Sequence, residues 1–389
     1  MNEGRTVFAQ LMGHLPLAEF RGCVSRYGGN YRLRRMSCMD QFLAMAFAQL
    51  TFRESLRDIV ACLGTVRGKL YHMGFRGRIA RNTLAVANQK RDWRIYCDFA
   101  KVLIGVAQDL YAEEPWALLL KRTVYALDST TVDLCLALFP WAKFRRAKGG
   151  LKIHTLLNVR THIPAFVCVT AANVHDVNIL DDIVVEPGAV YVMDRGYLDY
   201  GRLFRLKTCG AFFVTRAKKN AQFERVYSHP VERAAGVRCD QTVKLVSFYP
   251  AQDYPDHLRR IVFVDPETQK RLAFLTNNFT WAATTVTALY KSRWQVELFF
   301  KWIKQHLRIK AFFGESENAV KTQIWISLSI YVLVAIFKHR LGLRQSLYET
   351  LQILSVSLFE KTLVAELFAD TTVSEGTRES RNQLLLFDF

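Results

Sequence analysis

The sequence predicts a mixed α+β, α/β chain: helical at its start, strand-rich in its middle and helical again at its end. Three observations predict it. Apolar residues recur at spacings of 3 and 4 before residue 112, short apolar runs of β-branched residues follow from Val124 to Leu275, and helical spacing returns near Ala282. A length of 389 residues suggests two or three domains. The pattern divides the chain into a helical module (1–115), a core (116–340) with a β-rich insertion at about 220–280, and a helical C-terminal region (341–389) with a polar linker and an apolar end.

From Ser37 to Leu63, Phe42, Leu43, Met45, Ala46, Leu50, Leu56, Ile59 and Val60 lie on helical faces, with a break near Thr51. A glycine-rich basic connector, Gly64 to Arg81, leads to Asn82 or Thr83 as the N-cap of one long helix running through Trp93 and Tyr96 toward Tyr111. Such a module is compatible with helix-turn-helix DNA binding and is expected to be removable with the core left folded. Strands are predicted at Val124 to Asp128, Lys152 to Val159, Phe166 to Thr170, Tyr191 to Asp194 and Phe212 to Thr215, with a short helix near Val177 to Ile183. Strand, hairpin, helix, strand is the order of a ribonuclease H-like fold. Further strands at Thr242 to Phe248, Leu258 to Val264 and Leu272 to Leu275 fill the 103 positions from Asp194 to Glu297 (297 − 194), too many for one crossover helix. Ile324 to Phe337 is apolar for 14 residues, short of the roughly 20 a bilayer needs, and reads as a buried core helix. Ala369 to Gln383 is polar. The terminal Leu384 to Phe389 is apolar and is expected to dock, preferably on its own subunit.

Charge narrows the function classes. Lys and Arg total 53 against 35 acids, a net charge of +18, which points to a polyanionic partner. Residues 1–100 hold 16 bases and 7 acids, half of that excess (16 − 7 = 9). The eight cysteines form no CxxC pair and no Cys/His cluster at zinc spacing, so they read as reduced core residues of a cytoplasmic protein. The opening residues carry no signal-peptide pattern.

Chemistry concentrates in three places. Tyr290, Arg293, Glu297 and Lys304 recur at spacings of 3, 4 and 7, so on a helix they fall within roughly 60° of one another, with Lys301 beside them. The rest of the circumference carries Trp294, Val296, Leu298, Phe299, Phe300, Trp302 and Ile303. A buried helix with one ionisable seam requires partners for it. The alternative is a solvated face with an intrahelical Arg293–Glu297 ion pair. Asp128 sits in a β-branched apolar run, and Asp194 ends the run Ala189 to Met193 before a glycine turn. Either acid alone could be satisfied by local backbone amides. Two such aspartates and a helical glutamate in a basic chain suggest a three-carboxylate site for two Mg²⁺ ions, with Mn²⁺ able to substitute, acting on phosphodiesters. A basic loop, Lys143, Arg145, Arg146, Lys148 and Lys152, is a second candidate for tracking phosphates, or a solvated turn.

These residues resemble the DDE transposases of bacterial insertion sequences, in the family whose last acid lies in a Tyr-x2-Arg-x3-Glu-x6-Lys signature; Tyr290, Arg293, Glu297 and Lys304 meet it without departure. Asp128-Ser129-Thr130 and Asp194-Arg195-Gly196-Tyr197 match the settings of the family's two aspartates, and similarity extends through Arg81 to Trp93, Phe139 to His154 and Gly314 to Val320. The resemblance implies a helical DNA-binding module and a ribonuclease H-like core. It implies catalysis by Asp128, Asp194 and Glu297, with DNA contacts from Tyr290, Arg293, Lys301, Lys304 and Arg195. It further implies double-stranded DNA as partner (terminal inverted repeats and target), a synaptic homodimer, and neither a membrane nor a small-molecule substrate. The setting expected is a bacterial cytoplasm, at the nucleoid. If a DNA hairpin forms, its aromatic wedge would come from Phe223, Tyr227, Phe248, Tyr249 or Tyr254. Two alternatives share the acids or the charge: a DNA-binding protein without catalysis, and a metal-dependent nuclease without strand transfer.

Overall fold

The computed structural model describes residues 4–33, 35–112, 122–146, 148–306 and 312–369. Six helices open it: α1 (Val7–Met12), α2 (Leu17–Arg26), α3 (Cys38–Leu50), α4 (Leu56–Thr65), α5 (Arg81–Lys90) and α6 (Arg94–Ala112). Ser37 caps α3 in a capping box with Asp40, and Ser55 caps α4, which fixes the break expected near Thr51. The single long helix expected from Asn82 to Tyr111 is two helices. Arg91 is extended, and Asn318 takes up the backbone groups freed at the break, accepting from the Trp93 amide and donating to the Asn88 and Arg91 carbonyls.

Ten strands form one sheet among the described residues: β1 (Val124–Leu134), β2 (Lys143–Arg145), β3 (Lys148–Asn158), β4 (Pro164–Ala171), β5 (Val190–Met193), β6 (Phe212–Arg216), β7 (Phe223–Ser228), β8 (Val237–Leu245), β9 (Leu258–Val264) and β10 (Arg271–Thr276). Their order is β2-β3-β1-β5-β6-β10-β9-β8-β7, with β4 on β3. β1, β5 and β6 are parallel and the remaining pairings antiparallel. The insertion strands therefore extend the main sheet through the β6–β10 pairing. A buried Asp240–Arg259 ion pair ties β8 to β9. Two short helices, α7 (Tyr200–Thr208) and α8 (Phe248–Asp253), lie between strands.

The chain closes with α9 (Ala283–Ser292), α10 (Trp294–His306), α11 (Glu317–Arg340), α12 (Leu347–Ser357) and α13 (Val364–Ala369). α11 extends the apolar run at both ends and is long and apolar enough to cross a membrane, but it is buried, its side chains from Ala319 to Phe337 enclosed apart from Lys321. It packs against α3, α5, α6, α10 and α12. One apolar cluster runs from Val7 through Phe42, Phe99 and Ile330 to Phe368, and takes in Ala126 and Ile153 on one face of the sheet. The helical start thus shares its core with α11 and the sheet, and residues 1–81 cannot be removed without exposing α11. The amides of Val7 and Phe8 donate to the carbonyls of Glu360 and Leu358, pinning the start of the chain beneath α12. The eight cysteines are not all core residues as expected: Cys23, Cys38 and Cys97 are buried, Cys62, Cys168 and Cys239 half-buried, and Cys135 and Cys209 exposed. The polar linker and apolar terminus lie outside the described residues, apart from Ala369.

Candidate active site

Strand register brings the two aspartates together. β1 and β5 pair in parallel as far as Leu127 opposite Met193, so Asp128 and Asp194 are the next residues on neighbouring strands at the carboxyl end of that pairing. Parallel neighbours lie about 4.8 Å apart. Side chains alternate along a strand, and Asp128 therefore shares the face of Ala126, which packs in the α11 cluster, while Leu127 joins the opposite core with Met193 and Leu203. α10 lies across that first face. Val296, Phe299, Phe300 and Ile303 enter the same cluster, and Phe299 and Trp302 set their rings edge-on to Tyr331 of α11.

The signature segment is not one continuous helix. Arg293 separates α9 from α10: its amide donates to the Tyr290 carbonyl and its own carbonyl accepts from Val296, a tightened turn of the 3₁₀ kind, while the Ser292 hydroxyl bonds back to Leu289. The polar seam survives the break. One Arg293 nitrogen donates to Asp128 Oδ2 at 2.5 Å and another to Glu297 Oε1 at 2.5 Å, so the guanidinium bridges two of the three expected acids. The intrahelical Arg293–Glu297 pair is therefore present, but on a half-buried surface facing Asp128 rather than on a solvated face. Lys304 Nζ donates to the Thr131 carbonyl of β1 at 2.9 Å, and Lys301 is exposed. Asp128, Ser129, Thr130, Glu297, Phe300, Lys301 and Lys304 line a cleft of about 420 Å³.

Asp128 has an elevated pKa of about 6. Burial is the main cause; the Ser129 amide and Arg293 pull it down, and the charges of Asp194 and Glu297 push it up again. Asp194 Oδ1 accepts from the Gly196 amide at 2.6 Å, and its carbonyl accepts from the Thr215 hydroxyl on β6. Among the described residues, no three Asp, Glu, His or Cys side chains are gathered closely enough to hold a metal ion as they stand. The donor set nonetheless suits a hard divalent cation: three carboxylates with oxygen donors, two of them already sharing the positive charge of Arg293.

The remaining candidates fall in different settings. Tyr290 is half-buried, its ring 4.7 Å from that of Phe274, so most of it packs on β10. Arg195 is exposed, as are Lys143, Arg145, Arg146 and Lys148 on the β2–β3 hairpin. Lys152 turns inward, to Asp176 at 3.1 Å and the Val174 carbonyl at 2.8 Å. Of the five insertion aromatics, Tyr254 is buried and Phe223 half-buried, while Tyr227, Phe248 and Tyr249 are exposed. Sequence reasoning missed Asp176, the first residue of a 3₁₀ turn (Asp176–Asp181) between β4 and β5, where the expected short helix near Val177 to Ile183 falls.

Comparison with known proteins gives a consistent result. A family model described as Transposase DDE domain matches residues 119–333, and one described as a domain of unknown function (DUF4372) matches residues 3–76. The "Putative transposase y4zB" of Sinorhizobium fredii is 32% identical over 304 residues, 77% of this chain and 83% of that protein. The "Probable transposase for insertion sequence element IS5377" of Geobacillus stearothermophilus is 30% identical over 215 residues, 55% of this chain and 56% of that protein. Among solved structures, the piggyBac transposase in its synaptic complex with hairpin DNA aligns with a TM-score of 0.50 at 11% identity, over 95% of this chain and 82% of that one, a likeness of fold.

Proposed function

The chain belongs to the transposase DDE domain family, and from that premise we propose that it binds the terminal inverted repeats of its insertion sequence and carries out metal-dependent DNA cleavage and strand transfer with Asp128, Asp194 and Glu297. The observation that carries this reading is the β1–β5 register, which sets Asp128 beside Asp194, joined to Glu297 by the Arg293 bridge. The core is of ribonuclease H-like type, its parallel β1-β5-β6 centre flanked by antiparallel β3 and β4. Residues 1–115 serve DNA docking and residues 116–340 catalysis. The protein works as a homodimer at paired DNA ends in the bacterial cytoplasm.

Asp128, Asp194 and Glu297 would hold two Mg²⁺, or Mn²⁺, which when bound supply activation of the attacking oxygen and stabilisation of the leaving one in an in-line displacement at phosphorus. Asp128, with its elevated pKa, must be deprotonated to serve. Arg293 then exchanges its carboxylate partners for a DNA phosphate, a role its planar fork suits. Lys304 and Lys301 in the cleft and the exposed Arg195 beside Asp194 add phosphate contacts, Tyr290 braces the turn at Arg293, and the β2–β3 hairpin supplies further phosphate contacts through Lys143, Arg145, Arg146 and Lys148.

The direct test is incubation of the full chain and Mg²⁺ with DNA carrying the repeats that flank its gene. Cleavage at the repeat ends and joining to a target support the reading; cleavage without joining would leave a nuclease. In salt titrations of end binding, Arg293→Ala and Lys304→Ala should each reduce the slope of log K against log salt by about one, because each phosphate contact releases about one counterion. An unchanged slope in both would remove the seam from the DNA interface.

A further inference from the structure

Behind Asp128, on the opposite face of β1, lies a polar cluster that the three-carboxylate reading does not use. Ser129 opposes His154 across the β1–β3 pairing and Thr131 opposes Lys152, so Ser129, Lys152 and His154 all project to that face. Their polar atoms converge on one acid. Asp176 Oδ1 accepts from Ser129 Oγ at 2.8 Å and from Lys152 Nζ at 3.1 Å, with His154 Nδ1 at 3.7 Å. His154 is fully buried, and burial holds its pKa down at about 4, so it is neutral and Lys152 is the charged partner of Asp176. Lys152 also fixes the loop from β4 through the Val174 carbonyl, and His154 Nε2 meets the Thr170 hydroxyl at 2.9 Å.

The cluster reaches both aspartates. Ser129 links to Asp128 through its amide, which donates to Asp128 Oδ1 at 2.8 Å. The short turn Asp176–Asp181 packs against the turn Arg195–Tyr197 that follows Asp194. Tyr197 is buried there: burial, then the charges of Asp128, Asp176 and Asp194, push its pKa up, while the nearby Ser129 side chain pulls it down. A core needing only stability would fill this space with apolar side chains, since a half-buried Lys–Asp pair with an enclosed histidine gains little from burial. Groups that orient ligating carboxylates commonly change metal affinity or activity by about 10- to 100-fold when removed.

We propose that Asp176 is a positioning residue: by holding Ser129, Lys152 and the turn bearing Tyr197, it fixes the spacing and orientation of Asp128 and Asp194 for metal binding. This rests on the three-carboxylate reading above, and the experiment separates the two. Binding of Mn²⁺ to the full chain without DNA is measured by calorimetry for the wild type, Asp176→Ala, Asp176→Asn and Ser129→Ala, with thermal unfolding in EDTA as the control for folding. Asp176→Ala should weaken Mn²⁺ binding about 10- to 100-fold. Asp176→Asn, which retains an oxygen for Ser129, should recover part of the loss. Ser129→Ala removes only the hydroxyl's bond to Asp176 and leaves the amide bond to Asp128 in place; it should cost about tenfold, so it decides the matter if Asp176→Ala fails to fold. Wild-type affinity in folded Asp176→Ala and Ser129→Ala overturns the proposal alone; a wild type that binds no Mn²⁺ overturns the carboxylate reading and the proposal with it.

Discussion

α10 and α11 are consecutive, largely apolar helices packed on each other, and they treat their polar residues in opposite ways. α11 encloses Thr322, Gln323, Ser327 and Ser329, all neutral. Ser329 bonds back to the Trp325 carbonyl and Gln323 accepts from the Phe313 amide, while the hydroxyls of Thr322 and Ser327 are buried without a hydrogen bond. An unmet hydroxyl costs about 1 to 3 kcal/mol, which a long apolar helix absorbs. α10 and the turn before it carry charge instead, and each of Arg293, Glu297 and Lys304 is aimed at β1 or at one another. Buried ions cost several kcal/mol each unless paired, so their retention calls for a reason other than stability. Charge on a packed helix, more than polarity, separates the working surface from the scaffold.

The comparison breaks first if the acids facing α10 prove dispensable. Asp128→Ala or Asp194→Ala should lower Mg²⁺-dependent cleavage of the DNA end at least about thousandfold, roughly 4 kcal/mol, with end binding kept within about tenfold. Gel assays of cleavage and binding on the same preparations check this. Undiminished cleavage by either variant removes the carboxylate site.

On the scaffold side the loss should appear in stability. Leu333, fully buried in α11, should cost about 2 to 5 kcal/mol on conversion to alanine. Denaturant unfolding measures it, and a cost below about 1 kcal/mol would mean that α11 is not the packing centre the structure describes.

His154 gives a pH test of the buried cluster. Its folded pKa of about 4 lies below the ordinary 6.5, so the unfolded chain binds a proton that the fold refuses. Stability is therefore intact above pH 6.5 and falls between 6.5 and 4, by about 3 kcal/mol at most at 1.36 kcal/mol per unit. His154→Gln should flatten that part of the profile relative to wild type. Identical slopes for the two proteins would place His154 in contact with solvent.

How much of this was legible in the sequence follows from how far each interaction reaches. Asp128 and Asp194 stood out because an acid within or at the end of a β-branched apolar run breaks a local pattern. Spacing alone placed Arg293, Glu297 and Lys304 on one seam. The helix break at Arg293 was not visible, since it arises from a tightened turn and the Ser292 hydroxyl with no proline or glycine to mark it. That Arg293 faces Asp128 depends on the packing of α10 on β1, 165 positions away in sequence. Lys152 read as a surface base because its partner Asp176 comes from a 3₁₀ turn whose position is set by the fold. The helical start read as a separate module because periodicity shows which face is buried but not against what; here the partner is α11, from the far end of the chain.

The most direct measurement is single-turnover cleavage of the DNA end by Glu297→Gln in Mg²⁺, with end binding measured in parallel. The substitution removes one anionic oxygen donor without adding bulk, so binding should persist while the chemical step falls by at least about a hundredfold. Were Glu297 only the structural partner of Arg293, the change would cost about 0.5 kcal/mol of stability and leave the chemistry alone. A Glu297→Gln protein that cleaves at the wild-type rate would contradict the account.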